Sequence, residues 1–371
     1  MDLSKLTKDE LLTMKRNLEY DISKYFNFQL VKKIQLNSAY GAIGNQYFRY
    51  YSTDMAEAIT LSGQLSIQFI GNELNTFLNK NIGTDGIDYI IASDTDSVYL
   101  NLGSLVKKYL PTETDNDKIC SYLDKCSKNI ILPLIETKFN ELATTMNAYE
   151  NKMIMTRESI ANKGIWTAKK RYILNVYDSE GVKYSTPELK IMGIETTRSS
   201  TPEIVRNDLK KCISIMINND EEYLINFIKE IKKSFNSTIP EDVSFPRRVN
   251  GLKKYTDTYY IYKKFTPIAV KGALIYNHHI KKMKLEKKYK LIQEGEKIKF
   301  VYLKTPNPFG GMTGEDHIIS FPNRIPKEFE LEGYIDYAKQ FEKSFLDPLA
   351  TILNTIGWSY EKKNTLESLF N

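Results

Sequence analysis

The stretch IIASDTDSVYL, from Ile90 to Leu100, constrains the fold of this chain more than any other part of it. Two runs rich in Ile, Val and Tyr flank a short polar turn, a pattern typical of a β-hairpin. Residues i and i+2 of an extended strand point to the same face, so Asp94 and Asp96 are predicted to present their carboxylates to one hard cation such as Mg²⁺. Asp also favours turns for its own hydrogen bonding. The apolar runs favour the metal site, because they would hold both carboxylates rigidly.

The first helix is predicted over residues 4–48, which contain no proline and carry apolar residues at spacings of three and four. Ser4 or Thr7 is expected to cap its start, with an acidic residue, Glu10, three positions after Thr7. Lys33, Asn37 and Tyr40 are expected on one face of this helix.

Elsewhere the pattern changes along the chain. A second helix is predicted over residues 53–79, broken at Gly63 and Gly71, and helical patterns return over residues 117–147. Three segments then alternate like strands: MIMTRES, GIWTAKKRYILNVYD and GVKYSTPELKIMG. From Thr201 onward helices dominate again. Helix-rich, mixed and helix-rich regions in this order predict an α+β protein.

Composition excludes several classes of protein. No stretch approaches about 18 uninterrupted apolar residues, and the N-terminus lacks the apolar core of a signal peptide, so neither a membrane span nor secretion is expected. The three cysteines, Cys120, Cys126 and Cys212, contain no CxxC pair. They predict neither a disulfide framework nor a zinc site, and a reducing cytosol is the expected compartment.

One face of the first helix carries unusual chemistry. Lys33, Asn37 and Tyr40 follow one another at i, i+4 and i+7, which places them on one side of a helix. An ammonium group suits phosphates, and an amide and a phenol suit sugar and base, so this face is a candidate nucleotide site. Gly41 leaves room for a base pair to approach closely. The alternative is an ordinary solvated helix face.

Basic residues cluster although the net charge is only +6. KKMKLEKKYK (281–290), AKKRY (168–172) and FPRRVNGLKK (245–254) each combine lysine or arginine with aromatic or apolar residues. Such clusters favour contact with a phosphate backbone. Each cluster alone is also compatible with a solvated surface.

Taken together, these motifs resemble a known family. The order KKIQLNSAYG … SDTDSVYL resembles motifs B and C of family B DNA polymerases, and AKKRYILNVYD resembles the KKRY segment of that family, which contacts the primer end. ELKIMGIETTRSSTP and NPFG are similar to the T-even phage branch. The resemblance implies a polymerase palm sheet with a helical fingers fragment and a mostly helical thumb. The implied domains are fingers over 1–48, palm over 49–186 and thumb over 187–371.

The resemblance also implies an activity and the residues that carry it. The chain is expected to be part of a DNA-directed DNA polymerase, a nucleotidyltransferase that adds dNTPs to a primer with two Mg²⁺ ions. Asp96 would bind the ions and Asp94 would support the site less directly. Glu158 matches a peripheral acidic position near the metals, and Thr156 stands where T-even members carry Asp. Lys33 would contact the triphosphate, with Asn37 beside it and Tyr40 in the base-pair pocket.

A second set of residues is implied to hold DNA. Lys169, Lys170, Arg171 and Tyr172 would grip the primer strand, and Arg198, Ser199 and Ser200 would contact its backbone. Gly41 and Lys271 would contribute further DNA contacts.

A second metal-bridging Asp is expected in motif A of this family, in a strand before the fingers, but no DxxSLYPS-like string occurs here. We therefore expect the chain to be the C-terminal part of a polymerase, completed by an N-terminal chain that carries motif A and a proofreading exonuclease. Alone it should not polymerise. Met1 followed by a capped helix favours a split gene over a truncation.

The C-terminal residues KKNTLESLFN place Leu366, Leu369 and Phe370 on one helical turn. The resemblance implies that this tail docks on a sliding clamp; the alternatives are a frayed end or a tail packed on its own thumb. The expected partners are thus primer-template DNA, dNTP, the N-terminal chain and the clamp, in the cytoplasm of a bacterial host if the chain is phage-encoded. The rival interpretations are a non-catalytic module that binds primer-template and clamp, and an unrelated Mg²⁺-dependent nucleotidyl enzyme acting alone.

Overall fold

The computed structural model describes residues 6–309 and 317–361, which divide into two compact units. The first unit comprises Met1–Thr114 and Lys125–Arg157, and the second comprises Asp115–Asp124 and Glu158–Asn371. The predicted α+β class is confirmed by helices that accompany small antiparallel sheets. The fingers, palm and thumb boundaries stay a prediction.

The first unit is built mainly from helices. In chain order its elements are α1 (Lys8–Ile43), α2 (Thr53–Ile82), β1 (Ile90–Asp94), β2 (Ser97–Leu100), α3 (Gly103–Tyr109) and α5 (Leu132–Thr145). The predicted cap of α1 is confirmed: Thr7 Oγ1 accepts the Glu10 backbone N–H at 3.4 Å, and the Glu10 carboxylate accepts the Thr7 backbone N–H at 2.8 Å. This capping box satisfies two N–H groups that the helix itself leaves without partners.

Helix α2 corrects one expectation, because it continues through Gly63 and Gly71 without a break. A glycine inside a helix costs about 1 kcal/mol relative to alanine. The helix outweighs that cost by burying a stripe at every fourth position: Ser66, Ile70, Leu74, Leu78 and Ile82. Helix α1 buries no residue along its whole length.

The second unit contains a three-stranded antiparallel sheet of β3 (Ser159–Ala168), β4 (Arg171–Ser179) and β5 (Val182–Met192), with β4 in the centre. The expected strand MIMTRES is wrong, since residues 153–158 precede β3 and form no strand. A core around Ile173, Leu209 and Phe345 joins this sheet to helices of the same unit. These helices are α6 (Glu203–Asn218), α7 (Glu221–Asn236), α11 (Tyr337–Phe341) and α12 (Asp347–Thr355). The unit also contains most of α4 (Asn116–Cys126).

A second sheet in this unit was not predicted. It consists of β6 (Phe245–Arg248), β7 (Lys297–Tyr302) and β8 (Ile318–Phe321), and its core packs on α10 (Ile268–Lys282). Short helices α8 (Pro240–Val243) and α9 (Leu252–Tyr255) flank β6.

Two π-helical turns, Ser127–Ile131 and Glu342–Leu346, precede α5 and α12. Within the described ranges no helix is long and apolar enough to cross a membrane.

Candidate functional site

The predicted metal residues lie at the tip of the β1–β2 hairpin. Asp94 ends β1 and pairs with Ser97, the first residue of β2, so the chain reverses within Thr95 and Asp96. Thr95 has a φ of 55°, and the Asp96 backbone N–H donates to the Asp94 carbonyl at 2.6 Å. The extended geometry expected for the two carboxylates is therefore wrong, because a tight turn separates them. Asp96 is exposed at the tip and Asp94 is partly buried.

The base of the hairpin is held by an apolar core within the first unit. Ile90 and Val98 pack against a buried cluster that includes Ile70 and Leu74 of α2 and Phe139 of α5. Side-chain hydrogen bonds fix the turn itself: the Thr95 hydroxyl donates to Asp94 Oδ1 at 3.0 Å, and the Ser97 hydroxyl donates to the Asp94 carbonyl at 3.2 Å. The hairpin thus presents the exposed carboxylate of Asp96 from an anchored turn.

The donor set at this turn fits Mg²⁺ in kind, since carboxylate oxygens are ligands that this ion prefers. It supplies only two carboxylates. Among the described residues, no group of three or more His, Cys, Asp or Glu side chains is arranged to hold a metal ion.

The predicted nucleotide face of α1 has the expected spacing. Lys33, Asn37 and Tyr40 all lie within α1 and all are exposed, with Tyr40 at 43%. Gly41 faces open space, since a Cβ built on it meets no atom within 4 Å. This leaves the face accessible to a ligand, and the roles of its residues stay predictions.

Glu158 belongs to the second unit and directly precedes β3. Its Oε1 accepts a hydrogen bond from Lys190 Nζ of β5 at 2.5 Å, and its carbonyl accepts the Glu180 N–H at 2.6 Å. This carboxylate therefore has a cationic partner on β5 of the neighbouring sheet. Its predicted place near the metals stays a prediction.

The predicted primer-binding residues come together around the tip of the β3–β4 hairpin. Lys169 and Lys170 form its two-residue turn, with Lys170 at a φ of 62°. Gly193, which follows β5, packs against this turn: a Cβ built on it would lie 2.3 Å from the Lys170 carbonyl oxygen. Gly193 also has a φ of 69°, which side chains rarely adopt. Only glycine fits this position. The close contact of Gly193 with Lys170 therefore fixes the β3–β4 turn against the end of β5.

Next to this turn, Arg171 and Arg198 share one carboxylate. Arg171 Nη2 lies 2.6 Å from Glu195 Oε2, and Arg198 Nη1 lies 3.6 Å from Glu195 Oε1. Arg198 also donates to the Gly193 carbonyl at 3.2 Å. The ring of Tyr172 stacks on Trp166, with centroids 6.2 Å apart. Arg171 of the KKRY segment and Arg198 of the RSS segment are both predicted to contact the primer. Their shared carboxylate shows that they are neighbours in space.

A polar cavity of about 310 Å³ opens beside these arginines. Sequence reasoning did not assign two cations that line it, Arg247 and Lys343. Arg247 Nη1 donates to the Ser200 carbonyl at 2.6 Å, and burial lowers the pKa of its guanidinium. The charge cluster FPRRVNGLKK marked Arg247 as part of a basic segment, but no local signal marked Lys343. Ser199 is exposed on the turn before Ser200.

Lys271, the other predicted DNA contact, lies on α10 with its Nζ 4.6 Å from the centroid of the Tyr262 ring. The predicted clamp residues Leu366, Leu369 and Phe370 lie outside the described residues. The DNA and clamp contacts of these residues stay predictions.

The ion pair between Arg171 and Glu195 predicts a stability effect. Both side chains are less than a third exposed, at 27% and 19%. We expect Arg171→Ala to lower the free energy of unfolding by about 2 kcal/mol, because it removes a hydrogen bond between charged groups. Urea denaturation measures this change. Lys210→Ala, at an exposed lysine of α6, is the control and should stay within about 0.5 kcal/mol of the unaltered chain; an equal effect of both would contradict the expectation.

No protein-family profile matches the chain. The DNA-directed DNA polymerase of Enterobacteria phage T4 is 34% identical to it over 382 aligned positions, which cover 100% of this chain and 41% of that protein. The DNA-directed DNA polymerase of Escherichia phage RB69 is 36% identical over 357 positions, which cover 92% of this chain and 38% of that protein. By sequence, the chain is a relative of the T-even phage DNA polymerases.

The expected resemblance to the C-terminal part of a T-even type family B polymerase is thereby confirmed. The chain spans about two fifths of the length of these polymerase relatives. A more distant relative is the DNA polymerase delta catalytic subunit of Candida albicans, which is 26% identical over 218 positions that cover 56% of this chain and 18% of that protein. Polymerases from a phage and from a yeast are thus similar to the same chain.

Proposed function

We propose that this chain is the part of a DNA-directed DNA polymerase that carries one metal-binding hairpin, the nucleotide helix and the primer-binding surface. The observation that carries the proposal is the exposed Asp96 on an anchored hairpin turn, in a chain 34–36% identical to T-even polymerases. In the proposed reaction, the primer 3′ hydroxyl displaces pyrophosphate from a dNTP. Two Mg²⁺ ions supply charge compensation on the transferred phosphoryl group when they are bound.

On the nucleotide side, Asp96 and, less directly, Asp94 would hold the metal. Lys33 places a positive charge on the triphosphate, with Asn37 beside it, and Tyr40 lines the base-pair pocket. All three α1 side chains are exposed, which is what a ligand-facing surface requires. Gly41 lets duplex DNA approach this helix, and Glu158 remains a peripheral acidic residue.

On the primer side, the proposal assigns the strand contacts to the surface around the β3–β4 turn. Its support is electrostatic, since several cations gather within the second unit: Lys169, Lys170, Arg171 and Arg198. Phosphate contacts of this kind position a duplex without reading its sequence, as copying any template requires. Tyr172, Ser199 and Ser200 complete the proposed contacts on this surface, and Lys271 on α10 is proposed as a separate DNA contact.

A further polymerase segment is proposed to complete the site. Asp94 and Asp96 are the two carboxylates that the turn would offer to Mg²⁺, and the proposed two-ion chemistry would draw on further carboxylates from the completing segment. Helix α1 also exposes large apolar side chains, which a partner surface would cover: Leu18, Ile22, Tyr25, Phe26, Ile34 and Leu36. By analogy with obligate complexes, the interface would bury about 2,000 Å² or more. The completing segment carries the motif A aspartate and the exonuclease, and the tail beyond residue 361 binds a sliding clamp.

The second candidate is a module that binds primer-template and clamp without chemistry. The observation that favours it is that the described residues contain no group of three or more potential metal ligands. Primer extension by the chain mixed with the N-terminal part of a T-even polymerase separates the two functions. Extension by the mixture supports the polymerase. Primer-template binding with no extension in any mixture would support the binding module instead.

Lys33 offers a direct test of the nucleotide face. We expect Lys33→Ala to lower kcat/KM for dNTP about 100-fold in the extending mixture, because one preorganised charge on the phosphates is lost. Lys32→Ala is the matched control, since the neighbouring exposed lysine points about 100° away around the helix. Single-nucleotide incorporation kinetics measure both variants. Similar losses in the two would show that charge on α1, rather than the position of Lys33, matters.

A further inference from the structure

The segment between α9 and α10 displays aromatic side chains to solvent. In this segment, defined here as the aromatic loop (residues 256–267), Tyr259 is 87% exposed, Tyr260 55% and Phe265 98%. Burying an aromatic ring stabilises a protein by about 1.5–3 kcal/mol. Another ring of the same loop, Tyr262, packs against the buried core. Tyr262 therefore anchors the loop to the core, while the other three rings face water.

The exposed rings project from an anchored loop. Thr256 and Tyr262 form an isolated β-bridge that closes the tip. Inside it, the Asp257 carboxylate accepts the backbone N–H groups of Tyr259 at 2.9 Å and Tyr260 at 3.0 Å. These two bonds, that of Tyr260 first, lower the pKa of Asp257. Past the tip, the Lys263 backbone N–H donates to the Tyr255 carbonyl at 3.0 Å. The backbone on both sides of Tyr259 and Tyr260 is thus held by hydrogen bonds.

Phe265 adds a second observation, because its backbone is strained. Its φ is 61°, a left-handed conformation that is uncommon for a bulky side chain and costs about 1 kcal/mol or more. Its phenyl ring is almost fully exposed, so burial of the ring within the described chain does not offset the cost of this strain. Strain of this kind is concentrated at binding and functional positions.

The surroundings of these rings are basic. From residue 251 to residue 271 the sequence contains five lysines and a single acidic residue, Asp257. Lys253, Lys254, Lys263 and Lys264 are exposed. Lys271 lies over the Tyr262 ring. Exposed rings interleaved with ammonium groups match the chemistry of a nucleic-acid strand, in which planar bases alternate with phosphates.

We infer that the aromatic loop binds single-stranded DNA by stacking Tyr259, Tyr260 and Phe265 on unpaired bases, while the neighbouring lysines contact phosphates. A duplex covers the faces of its bases, so exposed rings stack on unpaired bases in preference to paired ones. The inference rests on the proposed function in one respect, that the ligand is DNA. It names a second DNA surface, separate in sequence from the β3–β4 turn.

The test compares three ligands by fluorescence anisotropy with the full chain: a labelled 15-nucleotide oligo(dT), an abasic strand of equal length and a primer-template duplex. We expect the triple variant Tyr259→Ala, Tyr260→Ala, Phe265→Ala to bind oligo(dT) about 10- to 100-fold more weakly. Its affinity for the abasic strand should stay within about twofold, because phosphate contacts persist. Far-ultraviolet circular dichroism and the Tm should be unchanged, since all three side chains are exposed.

Two control variants sharpen this test. Tyr223→Ala removes a ring on α7 with 56% exposure, close to that of Tyr260, and should leave all affinities unchanged. Tyr259→Phe keeps the ring without its hydroxyl and should retain oligo(dT) binding.

The inference is overturned if the unaltered chain fails to prefer oligo(dT) over the abasic strand, or if the triple variant binds oligo(dT) as well as the unaltered chain does. Equal losses on oligo(dT) and the abasic strand would also overturn it, since stacking would then not be the contact. Failure of the proposed function looks different: primer-template binding and extension would be lost while the base-dependent binding of oligo(dT) remained.

Discussion

Replacing Asp96 with Asn is expected to lower nucleotide addition about a thousand-fold or more in a mixture that contains the completing polymerase segment. Asn keeps the size of the side chain but removes the negative charge that we propose would hold Mg²⁺, and metal ions supply several kcal/mol of transition-state stabilisation. Because Asp96 is exposed at the hairpin tip, the same change should leave stability and primer-template binding nearly unchanged. Single-turnover extension measures the rate.

Asp85→Asn is the matched control for this prediction. Asp85 is an exposed aspartate in the loop between α2 and β1 of the same unit, so its replacement removes the same charge at a different place. The extension rate should stay within about twofold of the unaltered chain. A loss for Asp96→Asn no larger than that for Asp85→Asn would contradict the assignment of Asp96 as a metal ligand.

Replacing Gly193 with Ala is expected to lower the free energy of unfolding by about 3 kcal/mol. The new Cβ would meet the Lys170 carbonyl oxygen at 2.3 Å, and the backbone φ of 69° is itself unfavourable for alanine. Relief of this clash requires the β3–β4 turn to move. The same variant should therefore also weaken primer-template binding, because Lys169 and Lys170 form that turn. Urea denaturation and anisotropy measure the two effects.

Gly181 provides the control, since it also has a positive φ, 91°, but a Cβ built there meets no atom within 4 Å. Gly181→Ala should cost only about 1–2 kcal/mol, from the backbone conformation alone. DNA binding should not change. If the two alanine variants were equally stable, contact between Gly193 and the turn would not constrain the hairpin.

The helices and the central hairpin were largely predictable from sequence because their signals are local. Thr7 and Glu10 lie three residues apart and cap α1 as expected. The apolar runs on either side of the DTD turn pair as expected in β1 and β2. In α2, by contrast, local glycine preferences at Gly63 and Gly71 were outweighed by the buried stripe. That stripe packs against α5, which lies far along the chain, and this packing keeps α2 helical through both glycines.

The second sheet of the larger unit was not predictable in the same way. Its strands β6 and β8 are four residues long, and Phe245 pairs with Phe300 from a distant part of the sequence. Such short runs carry too few alternations for a period-two signal, and their partners are set by the tertiary fold.

At the candidate site, the residue types were predictable but their geometry was not. The arrangement of Asp94 and Asp96 depends on the left-handed conformation of Thr95, which a threonine rarely adopts and no local pattern indicates. The contact between Gly193 and Lys170 likewise joins residues that sequence alone does not place together. The ion pair of Arg171 with Glu195 also joins residues that are distant in the sequence.

The most direct test of the central claim is primer extension by the purified chain alone, with Mg²⁺ and dNTPs, beside its Asp96→Asn variant. The claim is that the chain holds part of a polymerase site and lacks the carboxylates that complete it. We predict primer-template binding without extension, and extension only when the completing segment is added. Extension by the chain alone that disappears in Asp96→Asn would contradict the claim. A carboxylate of this chain would then complete the site, and Glu158 would be the first to replace.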